Sequence, residues 1–211
     1  MKYKIIRLCG NLTLIINWKY KNESEDFDLI KQKFKVEQTG FLDFEKQYFE
    51  MEGGEFCGNG LRAAGICLGM GNWKIKTNVY PYFVTIAVTK SNVKLIIPTD
   101  IFIRENNILK SDGISYAFSN EDYGFSDSPC EGIIQITKIN NQIKILPKIW
   151  VKSINSIVTE TACASGSIAT AIYLQLNDCK IIQPSGGIYD IRIDREKVML
   201  TSCWRVEDSE F

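Results

Sequence analysis

The sequence contains no histidine. Imidazole is the commonest general base in enzymes, the usual partner of a nucleophilic serine or cysteine, and a frequent ligand of transition metals. Serine–histidine and cysteine–histidine catalytic pairs are therefore excluded, and so are histidine-ligated metal sites. If the protein is an enzyme, proton transfer must fall to cysteine, aspartate, glutamate, lysine or tyrosine.

An excess of charge of one sign is also missing, because 25 Lys and Arg balance 25 Asp and Glu in 211 residues. Binding to nucleic acid or to an anionic membrane needs a basic excess, so we expect neither partner. No stretch reaches the roughly 20 apolar residues of a membrane span. Arg7 and Asn11 interrupt the apolar run near the start, which has no small-residue cleavage site. We expect a cytoplasmic protein.

Cysteine is present seven times, but no Cys-x-x-Cys pair occurs. This spacing disfavours both a zinc site and a thioredoxin-like motif, so we expect no metal. A disulfide framework is not expected in a chain of this length without a secretion signal. Five of the cysteines are interpreted as packing residues, namely Cys9, Cys67, Cys130, Cys179 and Cys203.

Most of the chain consists of β-branched and apolar runs separated by turn residues, which predicts a series of hairpins. The predicted strand pairs are 4–8 with 12–17, 82–89 with 93–97, 132–136 with 142–146, and 188–193 with 198–200. Helical spacing of apolar residues predicts a short helix within 25–35. The polar stretch 104–128 is the best candidate for a linker. We therefore expect two domains, residues 1–105 and 106–211.

Two segments, 58–68 and 164–174, consist of small and apolar residues on nearly every side. A helix that is apolar all round is a buried helix. Each segment directly follows a cysteine, Cys57 or Cys163, and the second cysteine lies about half the chain after the first. This repetition predicts an α/β (α+β) fold with two similar β-rich lobes, each wrapped around one buried helix.

A cysteine at the start of a helix meets unpaired N–H groups and the positive end of the helix dipole. We expect the pKa of such a thiol to be lowered. Small residues after the cysteine allow a carboxylate to approach the N–H groups. Two such helix starts facing each other would hold an amino acid between two thiols. One thiolate would take the α-proton and the opposite thiol would return one, which is racemisation without a cofactor. The alternative for each cysteine alone is tight packing.

Residues 57–62, Cys-Gly-Asn-Gly-Leu-Arg, follow an aromatic residue and an acidic Gly-Gly turn. They resemble the first signature of the cofactor-independent diaminopimelate epimerase family. Residues 160–166, Glu-Thr-Ala-Cys-Ala-Ser-Gly, resemble its second signature. Residues 10–12 are similar to an element near the start of that family, and 184–206 to its closing strands. The resemblance runs from one end of the chain to the other.

This resemblance implies a pseudo-symmetric pair of lobes with the site in the cleft between them. The catalytic proton-transfer residues would be Cys57 and Cys163. The α-carboxylate and α-amino end of a small-molecule amino-acid substrate would be held by Gly58, Asn59, Ala164, Ser165 and Asn11. The family uses no cofactor. The oligomeric state is left open, with a homodimer as one candidate.

The sequence departs from the family at the positions that recognise the far end of diaminopimelate. Glu50 and Cys130 stand where asparagines are usual, and a Glu-Arg pair before the second signature is missing. A site that has lost polar partners loses specificity for its polar substrate, so we expect a different substrate. Glu50 suits a basic or imidazole amino acid, as in the histidine racemases of the same superfamily, or it is a solvated strand-end residue. Glu160 either caps the second helix or contacts the substrate amine, and we expect the cap.

Two alternatives to an amino-acid racemase or epimerase stay open at this point. One is an amino-acid-binding homologue of the same fold that lacks racemase activity. The other is an isomerase of the same fold that acts on a different class of substrate. Retention of both Cys57 and Cys163 favours the racemase.

Overall fold

The structure is a computed structural model that describes residues 1–118, 130–140, 142–152 and 155–210, without the side chains of residues 24 and 25. Three α-helices occur in this part of the chain: α1 (Asp28–Phe34), α2 (Gly58–Leu68) and α3 (Ala164–Tyr173). Its strands are β1 (Tyr3–Leu8), β2 (Asn11–Asn17), β3 (Gln38–Asp43), β4 (Tyr48–Met51), β5 (Gly71–Thr77), β6 (Val84–Val88), β7 (Asn92–Pro98), β8 (Ile103–Glu105), β9 (Ile108–Ser111), β10 (Ile114–Ala117), β11 (Cys130–Ile139), β12 (Gln142–Val151), β13 (Ser156–Thr159), β14 (Asp178–Ile182), β15 (Ile188–Ile193) and β16 (Lys197–Glu210).

The strands of the first half follow one another in chain order from β1 to β7, and the last strand closes them into a ring. The first part of β16 pairs with β7, from Lys197 to Cys203, and the second part pairs with β1, from Trp204 onwards. Helix α2 contacts each of the strands β1 to β7. A closed ring has no unpaired edge, so it forms a barrel that can bury the small apolar helix.

On its other side β16 continues into the strands of the second half, in the order β15, β14, β12, β11, β10, β9, β8. Helix α3 contacts β11, β15 and β16. The last strand therefore belongs to both halves of the strand order. This arrangement is an α+β fold rich in strands with few helices.

The apolar residues divide between two clusters because successive side chains of a strand point to opposite faces. In β1, Ile6 and Leu8 point into the main core around α2, whereas Ile5 belongs to a smaller cluster with Leu14 and Phe27. Helix α1 covers this second cluster. The innermost strands of the barrel are consequently buried on both faces.

The four predicted hairpins and the three helices occur in the structure, but the linker predicted at 104–128 is wrong over its first part. Residues 104–117 lie in β8, β9 and β10, with Leu109 and Tyr116 fully buried. The turn residues that suggested a linker lie in the short turns that connect β8 with β9 and β9 with β10. Residues 119–128 lie outside the described part of the chain. The domain boundary at 105/106 stays a prediction.

Replacing Gly65, in the middle of α2, tests how closely the helix packs inside the barrel. A Cβ at this position would overlap Cγ2 of Ile86 on β6 and would lie 2.9 Å from its Cβ. We expect Gly65→Ala to lower the free energy of unfolding by about 1–3 kcal/mol through overpacking. Helix propensity alone would raise it by about 1 kcal/mol. Urea unfolding of the wild type and the variant measures whether the free energy of unfolding falls or rises. A more stable variant would contradict the close packing.

Candidate active site

The two cysteines that precede α2 and α3 have nearly the same local geometry. Cys57 has φ −130° and ψ 108°, and Cys163 has φ −120° and ψ 106°. Each Sγ accepts a hydrogen bond from the backbone N–H three residues later, of Gly60 or Gly166, at 3.2 Å in both cases. Each thiol thus occupies the N-cap position that serine or aspartate usually fills. The sequence repeat corresponds to a repeated structural unit.

The two helix starts pack directly against each other. A Cβ on Gly58 would lie only 2.9 Å from the Cβ of Ala164 and 3.5 Å from the backbone nitrogen of Ser165. Glycine at position 58 is therefore what allows this approach, and it accommodates the methyl group of Ala164. Two sets of first-turn N–H groups, which lack acceptors within their own helices, are brought to one place.

A cavity of about 390 Å³ opens beside these helix starts. Cys57, Ser165 and Glu160 line it, together with carboxylates, one lysine and an apolar wall. Its remaining lining residues are Lys31, Glu37, Gln38, Thr39, Met51, Glu52, Gly53, Glu55, Phe56, Ile114, Tyr116, Cys130, Ile149, Val151 and Val158. This size falls within the range of small-molecule sites.

Cys163 lies immediately behind the cavity wall and is only 2% exposed. Its Sγ is 3.7 Å from the hydroxyl of Tyr116 and 3.8 Å from that of Ser165. The two hydroxyls share a hydrogen bond of 2.7 Å. Tyr116 and Ser165 both line the cavity, whereas Cys163 does not.

Gln38 connects the two cysteine sites through side-chain hydrogen bonds. The thiol of Cys57 donates to Oε1 of Gln38 at 3.0 Å, and Nε2 of Gln38 donates to Oε1 of Glu160 at 2.7 Å. The Glu160 carboxyl in turn interacts with the Cys163 thiol and raises its pKa. Gln38 was not predicted as a site residue, because it lies at the start of β3, outside both signatures. The only indication of it in the sequence is a polar residue at the edge of an apolar strand.

Burial raises the pKa of both thiols, which corrects the expectation that the helix starts would lower it. The backbone N–H groups of Gly60 and Asn59 act in the lowering direction at Cys57, but burial outweighs them. At Cys163 burial and the neighbouring Glu160 carboxyl both raise the pKa. Desolvation disfavours the charged thiolate more than the hydrogen bonds stabilise it. Both thiols are therefore protonated near neutral pH in this structure.

Glu160 does not cap α3, contrary to expectation. The cap is Cys163, whose own side chain accepts the bond from the first turn. Burial raises the pKa of Glu160 to about 7, although hydrogen bonds with Cys163 and Gln38 lower it. Its Oε2 is buried and has no hydrogen-bond partner among the described residues. A carboxyl that titrates near neutral pH lies next to one of the two cysteines.

Asn59 is fully engaged in holding the two helix starts together. Its Nδ2 donates to the carbonyl of Ala162 at 2.8 Å, and its Oδ1 accepts from Arg62 and Tyr189. Arg62 has no exposed surface and also donates to the carbonyl of Gly58 and to the hydroxyl of Ser202. The side chain of Asn59 is therefore a link between the loop before α3 and the first turn of α2.

Asn11 is buried beneath the cavity, where its Nδ2 donates to Glu37 at 3.2 Å. Glu37 lines the cavity and also accepts from the backbone N–H and the hydroxyl of Thr161. Glu50 has partners of a different kind, Lys21 at 3.0 Å and Tyr48 at 3.2 Å, and it is not a lining residue. Its assignment as a substrate contact stays a prediction.

Neither a metal cluster nor a membrane-spanning helix is found in the described ranges. No group of three or more Cys, Asp or Glu side chains there could hold a metal ion. No helix in that part of the chain is long and apolar enough to cross a membrane.

Comparison with known proteins finds relatives by sequence and similar solved structures. The chain is 25% identical to a histidine racemase of Fusobacterium nucleatum over 237 aligned positions, which cover 87% of this chain and 85% of that protein. A phenazine biosynthesis protein of the PhzF family from Enterococcus faecalis superposes with a TM-score of 0.60 at 9% identity, covering 98% and 96% of the two chains. A probable proline racemase from Agrobacterium radiobacter K84 superposes with a TM-score of 0.59 at 9% identity, covering 99% and 92%. No family model matches the chain.

The strand-rich fold with its closed barrel is shared with these solved structures, and the relatives by sequence support an isomerase of the racemase and epimerase class. The relatives by sequence support the resemblance to cofactor-independent racemases and epimerases, and the solved structures show that the chain shares the fold of PhzF and proline racemase-like proteins. The resemblance read from the two cysteine signatures is thereby confirmed.

The raised pKa of Glu160 predicts a pH dependence of stability. The unfolded carboxyl ionises near pH 4.3, whereas the folded one keeps its proton up to about pH 7. The contribution of Glu160 to the free energy of unfolding should therefore be greatest below pH 4.3, fall as the pH rises to about 7, and then level off. Glu160→Gln should remove about 1–3 kcal/mol of this fall. Urea unfolding between pH 4 and 8 measures it, with Glu45→Gln as an exposed control. Parallel curves for wild type and Glu160→Gln would contradict the buried titration.

Proposed function

We propose that this protein racemises or epimerises an amino acid by a two-base mechanism in which Cys57 and Cys163 act on opposite faces of the α-carbon. The observation that carries the proposal is the matched pair of thiol caps at two helix starts that touch each other. A single buried cysteine would be explained by packing. Two cysteines that have nearly the same dihedral angles and the same hydrogen bond, and that lie beside one cavity, favour a shared chemical role.

Substrate binding in this proposal depends on the backbone at the two helix starts. The first-turn N–H groups of Gly58, Asn59, Ala164 and Ser165 would hold the α-carboxylate, where the helix dipoles favour negative charge. The same groups would stabilise the charge that moves onto the carboxylate when the α-proton leaves. This assigns binding to the backbone of Asn59, because its side chain is already used between the helices.

Proton transfer requires one thiolate and one thiol, while both cysteines are protonated at rest. Glu160 fits the role of a positioning residue that accepts the proton of Cys163, because its carboxyl lies beside that thiol and has a pKa near 7. The Cys163 thiolate would then take the α-proton from one face, and the Cys57 thiol would give its proton to the other face. For the opposite enantiomer the two cysteines exchange roles. Gln38 orients the Cys57 thiol.

The proposed substrate is an amino acid other than diaminopimelate, with a basic or imidazole side chain such as that of histidine. The sequence lacks the family's usual residues for the far end of diaminopimelate. A relative at 25% identity carries the name histidine racemase. The cavity is rich in carboxylates, which favours a basic side chain.

We also infer that the chain consists of two pseudo-symmetric lobes, 1–105 and 106–211, around α2 and α3. The contacts of α2 with β1 to β7, and of α3 with β11, β15 and β16, support this division. The site would lie where the two helix starts meet.

Hydrogen exchange at the α-carbon tests the proposed reaction directly. Reduced protein is incubated in D2O with a mixture of free L-amino acids, and mass gain and chirality are measured together. We expect deuterium and the D-enantiomer to appear in one amino acid or a small group of them. Exchange in none of them, while calorimetry detects binding, would contradict the proposal and indicate a binding protein.

Replacing each cysteine separates catalysis from packing. We expect Cys57→Ser and Cys163→Ser each to lower the racemisation rate by a factor of about 10² or more, because a serine hydroxyl is a far weaker acid than a thiol and forms almost no anion to serve as the base at neutral pH. Cys203→Ser, at an exposed cysteine, is the matched control and should racemise like the wild type. If either of the first two variants turns over at the wild-type rate, that cysteine is not a base.

A further inference from the structure

The charges around the cavity are unbalanced. Its lining contains four carboxylates and one ammonium group, from Glu37, Glu52, Glu55, Glu160 and Lys31. The α-carboxylate of an amino acid is accounted for by the helix starts, so the acidic wall has a different purpose. Which of the four carboxylates is available for a ligand follows from their partners.

Two of the four already have partners in the protein. Glu37 accepts hydrogen bonds from Asn11 and from the backbone and hydroxyl of Thr161. Glu52 accepts from Lys31 at 2.9 Å. The same ammonium group lies 3.4 Å from Asp28, so Lys31 does not neutralise the remaining carboxylates.

Glu160 belongs to the reacting centre, because its carboxyl contacts Gln38 and Cys163. Glu55 is the carboxyl that is left. Its Oε2 is buried and has no hydrogen-bond partner among the described residues. A buried polar atom without a partner is costly, and such an atom in a ligand cavity is expected to be satisfied by the ligand.

The position of Glu55 suits recognition of a side chain. It lies two residues before Cys57, and Phe56 between them donates its N–H to the carbonyl of Asp112 at 3.0 Å, which holds the segment against the β9–β10 turn. Burial and the neighbouring Glu52 raise the pKa of Glu55. The Glu55 carboxyl in turn raises the pKa of Cys57 and of Cys130, so it lies near both thiols.

The cavity lining also contains an apolar wall. It includes Met51, Phe56, Ile149, Val151 and Val158. Such a wall packs against the methylene groups of a long side chain or the face of a ring, while a carboxylate binds the cationic end.

We infer that Glu55 is the specificity-determining residue of the site and binds the cationic side-chain group of the substrate. This rests on the proposed function and deepens it: the substrate class is an amino acid that carries a positive charge beyond its α-centre. Glu55 takes the role that the sequence alone suggested for Glu50, whose carboxyl is paired with Lys21 outside the cavity lining.

The test compares cationic amino acids with neutral ones of similar shape in wild type, Glu55→Gln and Glu45→Gln. The pairs are L-histidine with L-thienylalanine, L-lysine with L-norleucine and L-arginine with L-citrulline, and both α-hydrogen exchange and calorimetric binding are measured. We expect wild type and the exposed control Glu45→Gln to favour the cationic member at least tenfold. In Glu55→Gln this preference should fall at least tenfold, with Glu55→Asp in between. Circular dichroism and the unfolding midpoint show that each variant is folded.

Three results would overturn the inference. They are a wild-type preference for the neutral members, an undiminished cationic preference in Glu55→Gln, and loss of the preference in Glu50→Gln instead. Binding that prefers cations and depends on Glu55, without any exchange, would contradict the racemase and leave the role of Glu55 standing. Exchange of neutral amino acids alone would support the racemase and contradict the role of Glu55. Neither binding nor exchange of any member would contradict both.

Discussion

The contact between the first turns of α2 and α3 is the constraint on which the site depends. Gly58 allows Ala164 and Ser165 to approach, and Asn59 and Arg62 hold the approach with buried hydrogen bonds. Because both helices begin at this contact, both cysteine caps lie beside it. The barrel around α2 and the strands around α3 are the scaffold that brings two helix starts, far apart in the chain, to one place.

This scaffold creates an electrostatic conflict. Helix starts favour negative charge, but burial disfavours it, and at both cysteines burial has the larger effect. The resting site therefore stores its protons on the thiols and keeps a carboxyl of pKa about 7 next to one of them. Reactivity in such a site depends on the bound substrate and on a neighbouring proton acceptor more than on a lowered thiol pKa.

The partners of the cavity carboxylates divide the site into two regions. Glu160, linked through Gln38 to Cys57, belongs to the proton-transfer centre that we propose. Glu55, whose buried Oε2 has no hydrogen-bond partner among the described residues, faces the substrate side chain in our interpretation. In the proposed function, a chain without histidine uses cysteine, glutamate and backbone N–H groups for both acid–base chemistry and substrate recognition.

The sequence by itself determined the local secondary structure and the two cysteines at the helix starts. Hairpins follow from alternating apolar runs with turn residues between them, and the two buried helices with their leading cysteines follow from small-residue segments repeated in the chain. The tertiary structure decided what depends on contacts between distant segments. Residues 104–117 form strands, and Cys163 rather than Glu160 caps α3. Gln38 lies between Cys57 and Glu160, and Glu50 is paired outside the cavity while Glu55 lines it. Burial also reversed the expected direction of the thiol pKa. Desolvation and hydrogen-bond partners are properties of the folded surroundings, so local sequence carries little information about them.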